Sequence, residues 1–334
     1  RRIAIGEAVR IMTGAPVPFG ADAVLPAEFA EPDPARSERI GAIASVSPGK
    51  NIGLRGEDIV AGTTLLAPGR VLRPQDLGVI SSIGVAEVSV VRKPRVRLVI
   101  TGNELLPAGS RPHDFNITDA NGPLLTALAD RDGALVAFPG LVRDNADAIL
   151  EALVGPPEGG PYDSGGGPYD AGKDFRRPDI VIVSGGSSVG VEDLAPMLVA
   201  QHGELAVHGI AMRPSSPTGL GRIGSRLVFL LPGNPVSALC AYDFFAGRAI
   251  RALGGRPKPW PYRSVRGKLS RKISSPIGRL DYARVRLDGQ WIEPVSVGGA
   301  SVLSSTTRAD GFVIVPDDSE GYPAGADVEV WLYA

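Results

Sequence analysis

Three serines and three glycines crowd the stretch Ser184-Gly-Gly-Ser-Ser-Val-Gly190, directly after the apolar run Ile180-Val-Ile-Val183. A short β-branched run bounded by turn residues reads as a buried parallel strand, and the cluster after it lies where an α/β sheet presents its ligand loop. Gly185 and Gly186 leave the backbone free to bend around an anion, Ser184, Ser187 and Ser188 add hydroxyl donors, and the following helix adds its first N–H groups. The plainer reading is a tight turn whose glycines serve only geometry. A second candidate has the same construction: the apolar residues 226–231 enter Pro232-Gly-Asn-Pro-Val-Ser237, with Asn234, Pro235 and Ser237 opening a helix that runs to about residue 253. Proline is tolerated in a first turn, where free donors face outward. Two strand–turn–helix anion sites therefore share one sheet edge.

The elements that must position them begin at Pro94. From there strands alternate with amphipathic helices, the pattern of a mostly parallel sheet covered by helices. Residues 95–100 form a strand ending in Thr101-Gly-Asn-Glu-Leu105; Asn121 can cap a helix stopped by Gly133, and residues 134–138 form the next strand. Leu141-Val-Arg-Asp-Asn145 leads into a helix over 146–154 with Ile149, Leu150 and Leu153 spaced for burial. Residues 155–172 hold a tandem Gly-Gly-Pro-Tyr-Asp copy with no periodic apolar face, which reads as a surface insertion. Four divisions result: a β-rich part over 1–49, an elongated linker and dimerisation part over 50–93, the α/β domain over 94–257, and a small β barrel or sandwich over 258–334. In the second part a short helix is expected after Pro74 and a strand over 87–91.

Composition narrows the function. Lys+Arg 35 against Asp+Glu 36 gives no electrostatic reason for nucleic acid or an anionic membrane as main partner. No apolar run approaches the roughly 20 residues of a membrane span. One cysteine, Cys240, excludes an internal disulfide framework and a cysteine-based metal site, and fits a reducing, cytoplasmic setting. Gly219-Leu-Gly-Arg-Ile-Gly224 has dinucleotide-fingerprint spacing but precedes a strand, so it reads as a hairpin turn. His113, His202 and His208 show neither a triad context nor metal-ligand spacing.

Taken together, Thr13-Gly-Ala-Pro-Val-Pro18, Arg55-Gly-Glu-Asp-Ile59, Thr101-Gly-Asn-Glu-Leu105, Asp119-Ala-Asn121, Ser184 to Gly190 and Pro232 to Ala238 resemble, in order and spacing, the molybdopterin molybdenumtransferases, the MoeA proteins and the gephyrin E domain. The resemblance implies a multidomain α/β plus β fold: a β-rich N-terminal part, a central MoaB/MogA-like α/β domain and a C-terminal β barrel, in an elongated homodimer. It implies insertion of molybdate into adenylylated molybdopterin with loss of AMP and help from Mg2+, and it brings in a molybdopterin adenylyltransferase as a candidate partner.

That chemistry suits the residue types. The pterin dithiolene supplies soft ligands to molybdenum, so no protein thiol is needed. Mg2+ needs hard oxygens, for which Asp58, Glu104, Asp119 and Asp193 are candidates, and Glu104, Asp119 and Asp144 are candidates for catalysis. A helix cap or surface ion pair is the plain alternative for each, for Asp144 above all. Thr13, Ser184 to Ser188, Arg213, Pro232, Asn234, Pro235 and Ser237 are the candidate cofactor-binding residues. Two departures stand out. The family's Asp-Gly-Tyr-Ala element is absent from this chain, and its Lys-Pro-Gly-Lys-Pro reads Arg213-Pro-Ser-Ser-Pro217. Arg213 keeps one charge as a bidentate fork, while Ser216 cannot replace a lysine. Two functions follow: the transferase, or a catalytically weak relative that binds molybdopterin or nucleotide as carrier, regulator or scaffold.

Overall fold

The structure is a computed structural model that describes residues 2–138, 140–155, 177–185, 194–296, 299 and 301–333. Gly186, Ser187, Ser188, Asp193 and most of the tandem insertion lie outside the described residues. The chain divides into two compact units, Arg1–Pro68 and Gly69–Ala334.

The first unit carries little regular structure: a 3-10 turn at Ala27–Phe29 and a ribbon pairing Ala30–Pro32 antiparallel to Ile40–Ala42. None of its described residues is buried, and Met12, Phe19 and Leu54 stand 76%, 83% and 71% exposed. Proline and glycine break it into pieces too short to build a two-sided sheet.

The second unit starts with the expected helix, α1 (Pro74–Ser82), opened by proline in its first turn. The strand expected over 87–91 does not form. Its alternating valines are mostly exposed and no strand lies alongside to complete a ladder among the described residues.

The α/β domain follows the expected pattern closely. Its elements are β1 (Arg95–Thr101), α2 (Asn121–Arg131), β2 (Leu135–Ala137), β3 (Leu141–Val142), α3 (Ala146–Val154), β4 (Ile180–Ser184), α4 (Leu194–His202), β5 (Glu204–His208), β6 (Gly219–Ile223) and β7 (Arg226–Leu231). A helical run over 235–253 then joins α5 (Pro235–Ala241), a π-turn at Tyr242–Ala246 and α6 (Gly247–Leu253). The sheet order is β2-β1-β4-β7-β6-β5, with β3 also on β1; the centre is parallel and the β7-β6-β5 edge antiparallel. Leu98, Ile100, Ile180 and Ile182 pack one face under α2 and the 235–253 run, while Val99, Val181 and Val183 pack the other under α3 and α4. Gly219 to Gly224 forms one strand and the turn of the β6–β7 hairpin, as its position before a strand requires. The antiparallel edge itself has no signal in the sequence: Glu204–His208 is mostly exposed, and glycines interrupt β6.

The C-terminal strands β8 (Ser264–Leu269), β9 (Leu280–Asp288), β10 (Trp291–Ser296), β11 (Gly311–Val315) and β12 (Asp327–Leu332) close into a barrel through the ring β9-β10-β8-β12-β11-β9. Closure removes the free edges a sandwich would leave. Between barrel and α/β domain, Phe244, Trp260, Tyr282 and Phe312 interlock, Tyr282 stacking on Phe312 at 4.1 Å. Beside them Asp243, fully buried in the π-turn, accepts hydrogen bonds from the Tyr262 hydroxyl at 3.0 Å and from Arg131 at 3.3 Å.

Burial pushes the Asp243 carboxyl up to about 6, against the opposing pull of Arg131. A carboxyl held above its unfolded value contributes stability that is full below about 3.8 and lost as pH rises through about 6. The stability of the wild type relative to Asp243→Asn is therefore expected to fall by on the order of 2–3 kcal/mol between pH 4 and 7 in urea unfolding. A difference independent of pH would contradict this ionisation.

Candidate functional site

The parallel register sets Ile100, Ser184 and Leu231 side by side, so β1, β4 and β7 all deliver their loops to one sheet edge. There the turns after β4 and β7 touch. Gly185 has φ +99°, and a Cβ at this position would fall 2.2 Å from the Thr101 carbonyl oxygen, so only glycine fits. A Cβ at Gly233 would in turn stand 3.5 Å from the Gly185 Cα.

One side chain closes the two turns together. The Asn121 amide donates to Ser184 Oγ at 2.9 Å and to the Gly233 carbonyl at 2.7 Å, and Ser184 Oγ donates onward to the Pro232 carbonyl at 3.3 Å. Asn121 is 6% exposed and Ser184 1% exposed. Sequence reasoning saw Asn121 only as a helix cap. The structure makes it the first residue of α2 and gives the capping to Asp119, whose Oδ1 accepts from the Asn121 and Gly122 amides, both at 2.9 Å.

Asp119 thereby does two things. Oδ1 is spent on the helix; Oδ2 is buried and accepts no hydrogen bond among the described residues. Burial raises the carboxyl's pKa, and the two amide hydrogen bonds only partly oppose it. A buried carboxylate oxygen without a donor is costly, and it is the kind of group a cation or reacting ligand completes. The Asn121 Oδ1 also has no donor among the described residues.

The other candidates lie on separate elements. Glu104 is exposed in the loop after β1; that loop pairs Leu105–Leu106 with Ile117–Thr118, and the Leu106 carbonyl accepts from the Asp119 amide at 2.9 Å. Asp144 follows β3 on the same edge, its amide donating to Asn103 Oδ1 at 3.2 Å. It is not the cap of α3, since Asn145 Oδ1 takes the Ala148 amide at 2.9 Å. Asn234 precedes Pro235 at the start of α5 without a side-chain cap bond, and Ser237 is buried in the first turn. The loop of Arg213 is tied to that turn: Ser215 Oγ donates to the Ser237 carbonyl at 2.6 Å, holding a serine at φ +100°. Arg213 itself pairs with Asp281 of β9, and Ser216 is exposed. Thr13 and Asp58 are exposed in the first unit. Among the described residues no three His, Cys, Asp or Glu side chains group as a metal set.

A parallel sheet whose strand ends are joined by Asn121, with a half-used buried carboxylate at the start of α2, has the layout of α/β proteins that bind ligands at the strand ends. Comparisons narrow the class. Residues 1–84 match the family model "MoeA N-terminal region (domain I and II)", residues 97–252 "Probable molybdopterin binding domain" and residues 266–333 "MoeA C-terminal region (domain IV)". Molybdopterin molybdenumtransferase 2 of Mycobacterium tuberculosis is 32% identical over 335 residues, covering 96% of this chain and 76% of that one. Two crystal structures of the molybdopterin biosynthesis MoeA protein from Pyrococcus horikoshii superpose with TM-scores of 0.76 and 0.70, at 31% and 26% identity, each covering 100% of this chain and 77% of the other. The chain belongs to the MoeA family of molybdopterin molybdenumtransferases.

Gly185→Ala adds a clash to a left-handed backbone, whereas Gly209, at φ +89° with nothing within 4 Å of its Cβ position, faces strain alone. Thermal unfolding is expected to show a loss of about 1 kcal/mol for Gly209→Ala and about 3 kcal/mol or more for Gly185→Ala. Equal losses would mean that the approach to Thr101 relaxes freely.

Proposed function

We propose that the chain inserts molybdate into adenylylated molybdopterin and releases AMP, as a step of molybdenum cofactor biosynthesis. The observation that carries this reading is the buried Asp119 carboxylate, two residues before the Asn121 that joins Ser184 to Gly233, with one oxygen committed to α2 and the other without a donor among the described residues. Membership of a family whose relatives are named molybdopterin molybdenumtransferase supplies the substrate class.

Each part of the substrate has a matching part of the edge. The phosphates lie against the turns after β4 and β7, where first-turn N–H groups and serine hydroxyls donate without a protein cation. Asn121 joins Ser184 at the end of β4 to Gly233 in the turn after β7, which fixes the two strand ends that a diphosphate would bridge. Molybdate, a tetrahedral dianion, is taken by the loop of Arg213, which Ser215 anchors to the start of α5. The pterin dithiolene holds molybdenum after insertion, which agrees with the only cysteine, Cys240, being buried away in the core with burial pushing its thiol upward.

Asp119 Oδ2 also fits Mg2+, which takes one or two carboxylates and draws its remaining ligands from substrate phosphates and water. Bound there, Mg2+ would neutralise phosphate charge as the bond to AMP breaks. Glu104 and Asp144, on neighbouring loops, are the further carboxylates that orient water at this edge. We also read the first unit as a surface covered by a second copy of the chain, because its exposed apolar side chains and lack of buried residues leave it without a core of its own. Delivery of the adenylate by a molybdopterin adenylyltransferase, in the cytoplasm, completes the reading. Among the described residues no helix is long and apolar enough to cross a membrane.

The test supplies the purified chain with adenylylated molybdopterin, Mg2+ and molybdate. AMP release is expected to require molybdate and to stop when a chelator removes Mg2+. Tight binding of the pterin with no AMP release under any condition would make the chain a carrier or regulator instead.

A further inference from the structure

Two amides hold Asp119 Oδ1, but hydrogen bonds to one oxygen leave the other free to swing, because the last torsion of an aspartate side chain is soft. What stops Oδ2 lies at Gly122 and Phe138. Gly122 is the second residue of α2, where glycine is less favourable than alanine, and its φ is not positive, so no left-handed conformation calls for it. The reason for glycine here is space. A Cβ at this position would run into Asp119 Oδ2 and would come 2.6 Å from Phe138 Cε1 and 2.8 Å from Phe138 Cζ. The carboxylate oxygen and the far edge of the ring thus crowd the same bare Cα.

We propose that Phe138 is a positioning residue for the reaction: the edge of its ring and the bare Gly122 Cα form a slot that fixes the direction of Asp119 Oδ2. Gly122 serves the carboxylate twice, its amide donating to Oδ1 at 2.9 Å and its missing side chain making room for Oδ2. Phe138 follows β2 directly and packs, half-buried, against the core that includes Leu125 and Val136, so the ring cannot retreat without opening that core. An aromatic ring suits the task. Its edge carries partial positive charge and tolerates a carboxylate beside it, yet it has no N–H or O–H to donate. Oδ2 is therefore held in direction while its lone pairs stay unspent, in keeping with a buried oxygen that has no donor among the described residues. A group aimed in advance has less to reorganise when it meets its ligand.

This role rests on the functional reading above and can fail separately from it. AMP release from adenylylated molybdopterin, with molybdate and Mg2+ present, is followed over a range of substrate concentrations for the purified full chain, Phe138→Ala, Phe138→Leu and Gly122→Ala. Each is given a melting curve, and crystal structures are determined for the wild type and Phe138→Ala. Phe138→Ala is expected to lower kcat per folded molecule about tenfold with KM within about twofold, the pattern of a group that aims a reacting side chain without binding substrate. Phe138→Leu, which refills the volume, is expected to recover most of kcat. Gly122→Ala is expected to lose at least as much as Phe138→Ala and to melt below the wild type, although alanine is the better helix former. In the Phe138→Ala crystal, Oδ1 keeps its two amides and Oδ2 takes more than one orientation. Wild-type kcat in Phe138→Ala, at whatever melting temperature, would overturn the positioning role and leave the transferase reading standing. If the wild type releases no AMP, the transferase reading falls and the crystals decide the slot: Oδ2 unmoved in Phe138→Ala overturns it, and a scattered Oδ2 upholds it.

Discussion

The site depends on one side chain being an amide. Asn121 donates to both turns at once, to the Ser184 hydroxyl and the Gly233 carbonyl, and so ties the end of β4 to the end of β7 from the start of α2. It extends the backbone pairing, whose last bond runs from the Gly185 amide to the Leu231 carbonyl at 3.4 Å. Without it, the buried Ser184 hydroxyl would lose its donor, at a cost of about 1–3 kcal/mol. The close approach of Gly185 to Thr101 belongs to the same constraint: β1, β4 and β7 finish in register, and Gly185 has no room for a side chain.

The second dependence is between domains. The barrel contributes no strand to the central sheet, yet it holds the Arg213 loop through two paired residues and a buried carboxylate. The loop in turn leans on the first turn of α5 through Ser215. Behind this contact lie the interlocked aromatic rings and the buried Asp243 with its arginine and tyrosine partners. An α/β domain alone would keep its own turns but would lack this support for the Arg213 loop. This gives a physical reason for the two domains to share one chain.

Much of this was legible in the residues, and the parts that were not share a cause. The alternation of β-branched runs with amphipathic helices placed β1, β4, β7, α2, α3 and the long final helical run, because each buries its own apolar face. The edge strands β5 and β6 were missed, since exposed and glycine-interrupted strands have no such face. The strand expected over 87–91 was an alternating pattern without a neighbour to pair with. In the site, Asp119 was legible as a polar residue before a helix, but the division of labour between its oxygens was not. That division is set by burial, by which amides lie within reach and by which do not. Asp281 left no local signal at all, being brought to the Arg213 loop by tertiary pairing across more than sixty residues of sequence. The Gly/Ser stretch that first marks the chain as a binder of anions runs beyond the described residues after Gly185, so its serines stand on the sequence alone.

The central claim is that Asp119 serves the reaction with one oxygen while capping α2 with the other. Asp119→Asn keeps a carbonyl oxygen for the Asn121 and Gly122 amides and removes the charge, which makes it the most direct test. Single-turnover AMP release from adenylylated molybdopterin is measured for wild type and variant, beside their melting curves. The account requires a rate loss of about a hundredfold or more with the melting temperature unchanged or higher, since a buried charge has been removed. Turnover at the wild-type rate, with or without a change in stability, would reduce Asp119 to a helix cap and contradict the account.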